Sequence, residues 1–169
     1  MRIVHVVDYF QPILGYQEAF LAKEQSKLGY DVVVVTSDRD APVLYTNNAA
    51  QSILGSRIKT PGFTIEEGIK IWRLKTLFEI SSRVWMSGLE SKILELKPDV
   101  INVDGVNTIS AFRIAWLKLH NKQCRQVKLV IDDHLNPGAS VSKLKFLYPL
   151  LRKTTLKVVI KATDNFIAV

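Results

Sequence analysis

The sequence predicts an α/β protein built on a doubly wound parallel sheet of about six strands, with helices on both faces. Segments rich in β-branched residues alternate with segments of helical periodicity, which favours parallel strands joined by helices. The strands are almost continuously apolar, as in the valines Val32–Val35, and this is typical of strands covered on both faces. A chain of 169 residues is long enough to bury the core of one full-sized domain. We therefore expect one Rossmann-like domain over residues 1–169.

The predicted strands begin at the start of the chain. The first has an apolar run from Ile3 to Val7 and ends before Asp8. The same enrichment in branched aliphatic residues predicts five more. The predicted strands span residues 2–7, 31–36, 69–75, 99–103, 127–132 and 165–169.

Four helices fit between these strands. The first spans 17–28 and ends at Gly29, a residue type that commonly terminates helices. The second spans 83–97 and ends before a proline, which disfavours helical backbone at the residue before it. Thr108 is the predicted N-cap of the third helix, and a proline in its first turn favours the fourth over 149–163.

Residues 37–68 are predicted to be mostly irregular. The segments 46–51 and 60–64 have the composition of loops, and Gly68 is a predicted turn before the third strand. A stretch of about thirty residues with little regular structure commonly serves a function or is mobile.

The positive charge is concentrated near the end of the chain. Of the net charge of +7, residues 139–169 hold six lysines and arginines against one aspartate. A localised basic face favours an anionic partner, which from the charge alone can be a membrane surface, a nucleic acid or a phosphorylated substrate. Among these partners we expect no nucleic acid. Residues 143–161 either dock on anionic lipid or pack an apolar stripe on the sheet and leave a solvated basic face. The single cysteine, Cys124, fits a reducing compartment, so we expect a cytoplasmic protein, with contact to the inner face of the membrane left open.

Polar residues follow three of the predicted strands. They lie in segments 8–18, 104–108 and 132–136. Ligands of parallel sheets bind outside the carboxyl ends of the strands, so these segments are expected to converge on one edge. The helix that begins after Gly15 offers amides and a positive dipole end for an anion. The glycine fingerprint of dinucleotide sites and the P-loop are both absent.

Among the three histidines, His134 is the strongest candidate for chemistry, because it follows two aspartates at a strand end. Asp133 is a general base, a hydrogen-bond acceptor for the substrate, or a carboxylate that only accepts hydrogen bonds from loop amides. His5 is predicted to be a core residue and His120 to be solvated. The histidines are too scattered to predict a metal site.

Taken in order, several segments resemble the amino-terminal domain of the family 4 retaining glycosyltransferases, which have the GT-B fold. The resemblance covers essentially the whole chain and is weakest over residues 40–66. The segments that carry it are His5–Pro12, Gly15–Glu18, Leu28–Ser37, Gly68–Leu74, Lys97–Gly105, Val130–His134 and Ala162–Val169.

The resemblance implies an enzyme of two Rossmann-like domains that face each other across a cleft. The amino-terminal domain binds the acceptor, which is a glycan, a lipid-linked sugar or a small molecule. The second domain binds most of a nucleotide-diphosphate sugar, the co-substrate, and no metal or other cofactor is required. We expect that donor-binding domain beyond residue 169, and we expect the chain alone to be inactive.

The resemblance also assigns roles to individual residues. Gly15 matches the first of two adjacent glycines that approach the donor in the family, and Tyr16 replaces the second. His134 matches a histidine near the donor sugar, supported by Asp133. The donor or phosphate loop comprises Gly15, Tyr16, Gln17 and Glu18, and the expected acceptor residues are Asp8, Asp104, Gly105, Asn107 and Asn136.

Three other functions stay open from the sequence. A sugar epimerase shares the GT-B fold and would isomerise the donor without transfer. A binding module without catalysis would hold a glycan or anionic lipid. A response-regulator receiver fits less well, because the fifth strand leads to Asp132, Asp133 and His134 where a lysine would be needed.

Overall fold

The strands and helices follow the predicted alternation. The computed structural model describes residues 1–46, 48–80, 82–133 and 148–168. Short 3-10 turns cover Pro12–Leu14 and Pro42–Tyr45. The strands are β1 Arg2–Val7, β2 Asp31–Ser37, β3 Gly62–Glu66, β4 Ile69–Leu74, β5 Thr76–Ile80, β6 Arg83–Met86, β7 Val100–Asp104, β8 Lys128–Asp133 and β9 Asn165–Ala168. The α-helices are α1 Gln17–Lys27, α2 Asn48–Leu54, α3 Leu89–Leu96, α4 Ile109–His120 and α5 Tyr148–Ala162.

Within the described ranges, seven strands form one sheet in the order β3-β4-β2-β1-β7-β8-β9. Six of them are parallel, and β3 runs antiparallel to β4 at one edge. Numbered along the chain, the six parallel strands lie in the order 3-2-1-4-5-6, which is the order of dinucleotide-binding Rossmann sheets. The predicted doubly wound sheet and its six predicted strands are confirmed.

Helices cover both faces of this sheet. On one face, apolar residues of β1, β2 and β4 pack with Ala19 and Ala22 of α1. On the other, alternate residues of the central strands pack with Leu89 and Ile93 of α3, and with α4 and α5. Because neighbouring residues of one strand enter different cores, the strands are apolar on both sides, which is the pattern that predicted them.

The helix predicted over 83–97 is wrong in its first part. Residues 83–86 form β6, which pairs with β5 in a two-stranded antiparallel sheet. The helix starts only at Leu89, after Gly88 with φ 71°. A glycine in this left-handed conformation separates the strand from the helix, since α-helical backbone requires negative φ.

The predicted irregular segment 37–68 contains regular structure. It holds α2 and β3, and β3 joins β4 through Glu67 and Gly68, which both have positive φ, as a two-residue hairpin turn requires. The turn predicted at Gly68 is therefore confirmed. Phe63 of β3 pairs with Trp72 of β4 at a ring-centroid distance of 5.4 Å, a cross-strand aromatic contact that stabilises the edge.

Candidate functional site

The candidate site lies where the strand order of the sheet reverses. β1 pairs with β2 on one side and with β7 on the other. The chain builds the sheet outward from β1 through β2 and β4, and then returns to the other side of β1 with β7. The loops that leave β1 and β7 therefore lead to helices on opposite faces of the sheet, α1 and α4, and the carboxyl edge between such loops is the usual place of a ligand crevice.

Asp8 anchors this edge. Its side chain is buried, and Oδ1 accepts a hydrogen bond from the hydroxyl of Ser110 at 2.5 Å, in the first turn of α4. Its backbone carbonyl accepts a hydrogen bond from the hydroxyl of Ser37, also at 2.5 Å, at the end of β2. Oδ2 is buried and accepts no hydrogen bond of normal geometry from a described residue. Asp8 thus ties the ends of β1 and β2 to the start of α4.

Burial raises the pKa of the Asp8 carboxyl to about 6. The hydrogen bond from Ser110, the Val84 amide and the guanidinium groups of Arg83 and Arg113 oppose this shift. Desolvation disfavours the charged form of a carboxyl more than these groups favour it. The pKa of Asp8 therefore lies closer to neutral pH than that of an ordinary carboxyl, at the sheet edge where the strand order reverses.

The turn after β7 is held by close contacts within the turn and by a hydrogen bond to β8. Gly105 has φ +84°, and a Cβ at that position would lie 2.8 Å from Thr108 Cγ2. The Gly105 amide donates to the carbonyl of Asp132 at 2.7 Å. Thr108 Oγ1 accepts from the Ala111 amide at 3.0 Å, which confirms the predicted N-cap of α4. Only glycine allows this turn to close against the start of the helix.

Asp133 contacts the same turn from β8. Its Oδ1 accepts a hydrogen bond from the Val106 amide at 3.4 Å, and the carbonyl of Asn107 accepts one from Arg83 Nε at 3.0 Å. The structure therefore brings Asp8, Asp104, Gly105, Asn107 and Asp133 to one edge of the sheet. Among the alternatives for Asp133, the hydrogen bond from the Val106 amide corresponds to a carboxylate that accepts from a loop amide.

The predicted phosphate loop follows β1 and leads into α1, which lies on the opposite face of the sheet from α4. Gly15 has φ +65° and follows the Pro12–Leu14 turn, and a Cβ on it would lie 3.4 Å from the ring of Phe20. Helix α1 starts at Gln17, and its N-cap residue, Tyr16, makes no side-chain capping bond. Gly15, Tyr16 and Gln17 are exposed and Glu18 is half-buried. The helix thus begins with an accessible N-terminus.

Two predicted site residues, His134 and Asn136, lie outside the described residues. The part of the basic segment 143–161 that precedes α5 also lies outside them. The other histidines behave as predicted. His5 is buried between Gln25 and Asn102, at 2.7 and 3.2 Å, and burial lowers its pKa. His120 is exposed and stacks on Trp116 at a centroid distance of 3.9 Å.

Neither Ser110 nor Arg113 was predicted from the sequence as a residue of the site. Ser110 is the second residue after the Thr108 cap and faces the sheet, so helical periodicity measured from that cap could have found it. Arg113, one turn later, pairs with Glu90 and donates to the carbonyl of Met86 at 2.5 Å. Its partners lie in the hairpin and helix segment that was predicted as one continuous helix, so its role could not be found from the sequence.

In the described part of the chain, no group of three histidine, cysteine or acidic residues could hold a metal ion. None of the helices seen in that part is long and apolar enough to cross a bilayer.

Comparison with solved structures gives a weak structural likeness. No protein-family model and no curated protein matches the chain. Among solved structures, it is similar to the catalytic domain of starch synthase IV from Arabidopsis thaliana bound to ADP and acarbose. The identity is 13% and the TM-score 0.47, over 79% of this chain and 34% of that one. The chain therefore spans about a third of the length of that structure.

The raised pKa of Asp8 predicts a pH-dependent effect of Asp8→Asn. In the native state the carboxyl binds its proton up to about pH 6, against about 4 in the unfolded chain, so wild-type stability falls as pH rises through this window. Asparagine removes that dependence. The free energy of unfolding of the variant minus that of the wild type should rise by about 2 kcal/mol from pH 4 to pH 7.

Urea unfolding at a series of pH values measures this difference. Asp31→Asn is the control, since Lys70 and Arg2 hold the pKa of Asp31 below its usual value. Its contribution is lost only as pH falls below the window, so its difference should be nearly flat from pH 4 to pH 7. A flat difference for Asp8→Asn would contradict the assignment.

The tight turn at Gly105 predicts a larger cost for Gly105→Ala than for Gly29→Ala. Both glycines have positive φ, of 84° and 88°, so both variants carry the left-handed penalty of about 1–2 kcal/mol. Only Gly105 has a neighbour in the way, because nothing lies within 4 Å of a Cβ on Gly29. Equal losses in chemical unfolding would show that the contact with Thr108 is relieved at no cost.

Proposed function

We propose that the chain is the acceptor-side domain of a nucleotide-sugar-dependent, retaining glycosyltransferase of the GT-B type. The observation that carries the proposal is the reversal of strand order between β1 and β7. The Gly15 loop follows β1, the Gly105 turn follows β7, and Asp8 lies directly at the end of β1. The ordered motifs that resemble the family 4 enzymes fall on these elements.

The chemistry of glycosyl transfer suits this edge of the sheet. As the sugar leaves the diphosphate, negative charge develops on the phosphate and positive charge on the sugar. The uncapped start of α1, at Tyr16 and Gln17, offers amides and a positive dipole end to the phosphate. Oriented groups of this kind stabilise developing charge because they need no rearrangement during the reaction.

His134 is proposed to act near the donor sugar, and Asp133 to act through the backbone that leads to it. The hydrogen bond from the Val106 amide to Asp133 joins β8 to the Gly105 turn. Asp133 is therefore proposed as a positioning residue. Asp104, Asn107 and Asn136 are proposed to bind the acceptor. The donor-binding domain is proposed to follow this chain in the natural protein.

The basic stripe of α5 supports a second partner, an anionic membrane that carries a lipid-linked acceptor. Lys153, Lys157 and Lys161 are exposed and follow one another at intervals of four residues, so they share one helix face. Helix α5 packs on α4 through its other side, where Val159 and Ala162 are buried. The lysine face is therefore left to solvent, where it can meet anionic headgroups.

We expect that His134→Ala in the full-length natural protein lowers turnover at least ~10²-fold, because a group that stabilises the transition state is lost. The matched control is His120→Ala, which removes an exposed histidine from the far end of α4. Release of nucleoside diphosphate from a panel of nucleotide sugars measures turnover. Near-normal turnover of a folded His134→Ala protein would remove this residue from the site.

For the membrane partner, we expect that replacing Lys153, Lys157 and Lys161 by alanine weakens binding to vesicles rich in phosphatidylglycerol. Each basic residue near such a surface contributes about 1 kcal/mol, so the loss should be about a hundredfold. The matched control replaces the same three lysines by arginine. Vesicle sedimentation in which all three proteins bind equally would contradict the proposal.

A further inference from the structure

The β5–β6 hairpin carries a cluster of exposed apolar side chains on its outer face. Phe78 lies opposite Trp85 with a ring-centroid distance of 5.6 Å, and Ile80 lies opposite Arg83. A shift in register leaves Leu77 out of the pairing. We refer to Leu77, Phe78, Ile80 and Trp85, which are between 36% and 59% exposed, as the hairpin patch. Contiguous exposed apolar residues of this kind commonly mark a site of interaction with a partner.

The inner face of the hairpin is fixed to the rest of the domain. Val84 is fully buried in the core that contains α3 and α4. Glu79 accepts a hydrogen bond from the hydroxyl of Tyr9 at 2.6 Å. The Ser87 amide donates to the carbonyl of Lys75 at 2.8 Å and closes the base of the hairpin. The hairpin patch is therefore held in place before any partner binds, so little conformational entropy is lost when it is covered.

The hairpin lies beside the candidate site. The Val84 amide is next to the carboxyl of Asp8. Arg83 Nε donates to the carbonyl of Asn107 at 3.0 Å, in the turn after β7. Because Arg83 and Trp85 are two residues apart on one strand, they share the outer face of the hairpin. The hairpin patch therefore adjoins residues that are proposed to bind the acceptor.

The ring of Trp85 is fixed within the patch by a cation. The guanidinium of Arg113 lies 4.4 Å from the ring centroid and covers one side of the ring. Arg113 also pairs with Glu90, so the charge of that carboxylate is compensated at this end of the patch. Trp85 is still 36% exposed, so part of its ring is left to meet a partner.

The charges beside the patch are mainly positive where they meet solvent. Lys75, at the base of the hairpin, is exposed. Glu79 is the one acidic residue in the segment 76–86, and it pairs with Arg39 and Arg57 on the inner face. The side chains of the two arginines are 28% and 25% exposed, whereas that of Glu79 is 14% exposed. Solvent therefore meets the cations of these pairs more than it meets the carboxylate.

An apolar patch bordered by cations is complementary to the surface of an anionic bilayer. Aliphatic side chains enter the boundary between headgroups and acyl chains, and tryptophan is enriched at that boundary. Lysine and arginine beside them attract anionic headgroups. A neutral glycan stacked on Phe78 and Trp85 would leave these cations unused, together with the aliphatic side chains of Leu77 and Ile80. The combination of apolar and positive surface therefore favours a membrane.

We propose that the hairpin patch inserts into the headgroup boundary of an anionic bilayer and so brings the candidate site to the membrane surface. The inference goes beyond the proposed function, because insertion requires no sugar transfer. It also differs from the proposed role of the α5 lysines, which attract the membrane without entering it. On the proposed function, a lipid-linked acceptor reaches the turn after β7 from this surface.

The first test uses Trp85 to report depth in the bilayer. The chain has three tryptophans, so Trp72→Phe with Trp116→Phe leaves Trp85 alone. The matched control, Trp72→Phe with Trp85→Phe, leaves Trp116, which is 50% exposed on α4. Vesicles of phosphatidylcholine and phosphatidylglycerol in equal parts carry bromine on the acyl chains near the headgroups. We expect these vesicles to quench the emission of Trp85 and to leave that of Trp116 unchanged. Equal quenching of both, or no quenching of Trp85, would overturn the proposal.

The second test removes apolar surface from the patch. Leu77→Ser with Ile80→Ser should weaken vesicle binding about tenfold in sedimentation, because two aliphatic side chains no longer enter the bilayer. The matched control is Ile53→Ser with Ile65→Ser, which removes two exposed isoleucines elsewhere and should bind as the wild type does. Wild-type binding by a folded hairpin variant would contradict the proposal, and if that variant fails to fold, the quenching of Trp85 decides. Binding of the wild type to phosphatidylcholine alone that is as tight as binding to the mixed vesicles would also contradict it.

Two further outcomes separate this inference from its rivals. In analytical ultracentrifugation, a wild-type dimer that the hairpin variant dissociates would show that a second copy covers the patch, and would overturn the proposal. Insertion of Trp85 by a full-length natural protein that consumes no nucleotide sugar would refute the transferase and leave this inference standing. Transfer to a lipid-linked acceptor without quenching of Trp85 would refute the inference and leave the transferase standing.

Discussion

The candidate site depends on the buried carboxyl of Asp8. Its hydrogen bond to Ser110 fixes the start of α4, and its carbonyl holds Ser37 at the end of β2. These contacts set the spacing between the loops that leave β1 and β7. Burial opposes the charge of Asp8, as its raised pKa shows, and Arg113 offsets part of that cost. Arg113 in turn pairs with Glu90 of α3, so the site is coupled to the packing of the core on the α3 and α4 face of the sheet.

The Pro12–Leu14 turn leads the chain from the end of β1 into a helix N-terminus without a side-chain cap. The dipole of α1 favours an anion at that N-terminus. The proposed donor role of the loop follows from this charge, because the leaving group of glycosyl transfer is a phosphate.

The sequence predicted what depends on local periodicity and missed what depends on tertiary partners. Strands such as Val32–Val35 could be predicted because burial on both faces leaves a continuous apolar run. The short hairpin β5–β6 and the edge strand β3 have one exposed face, so their patterns were too weak over four or five residues. Polar residues after β1, β7 and β8 were correctly expected at one edge. The pairing of Arg73 with Glu66 could not be predicted, since it requires the antiparallel register of β3 on β4.

The most direct test is an NMR time course of the full-length natural protein with a nucleotide sugar and a sugar acceptor. We predict that nucleoside diphosphate and glycosylated acceptor form in equal amounts, and that the new linkage keeps the anomeric configuration of the donor. An isomerised nucleotide sugar without release of nucleoside diphosphate would identify an epimerase instead. Binding of the acceptor without any consumption of donor would also contradict the account, and would leave the chain as part of a carbohydrate-binding protein.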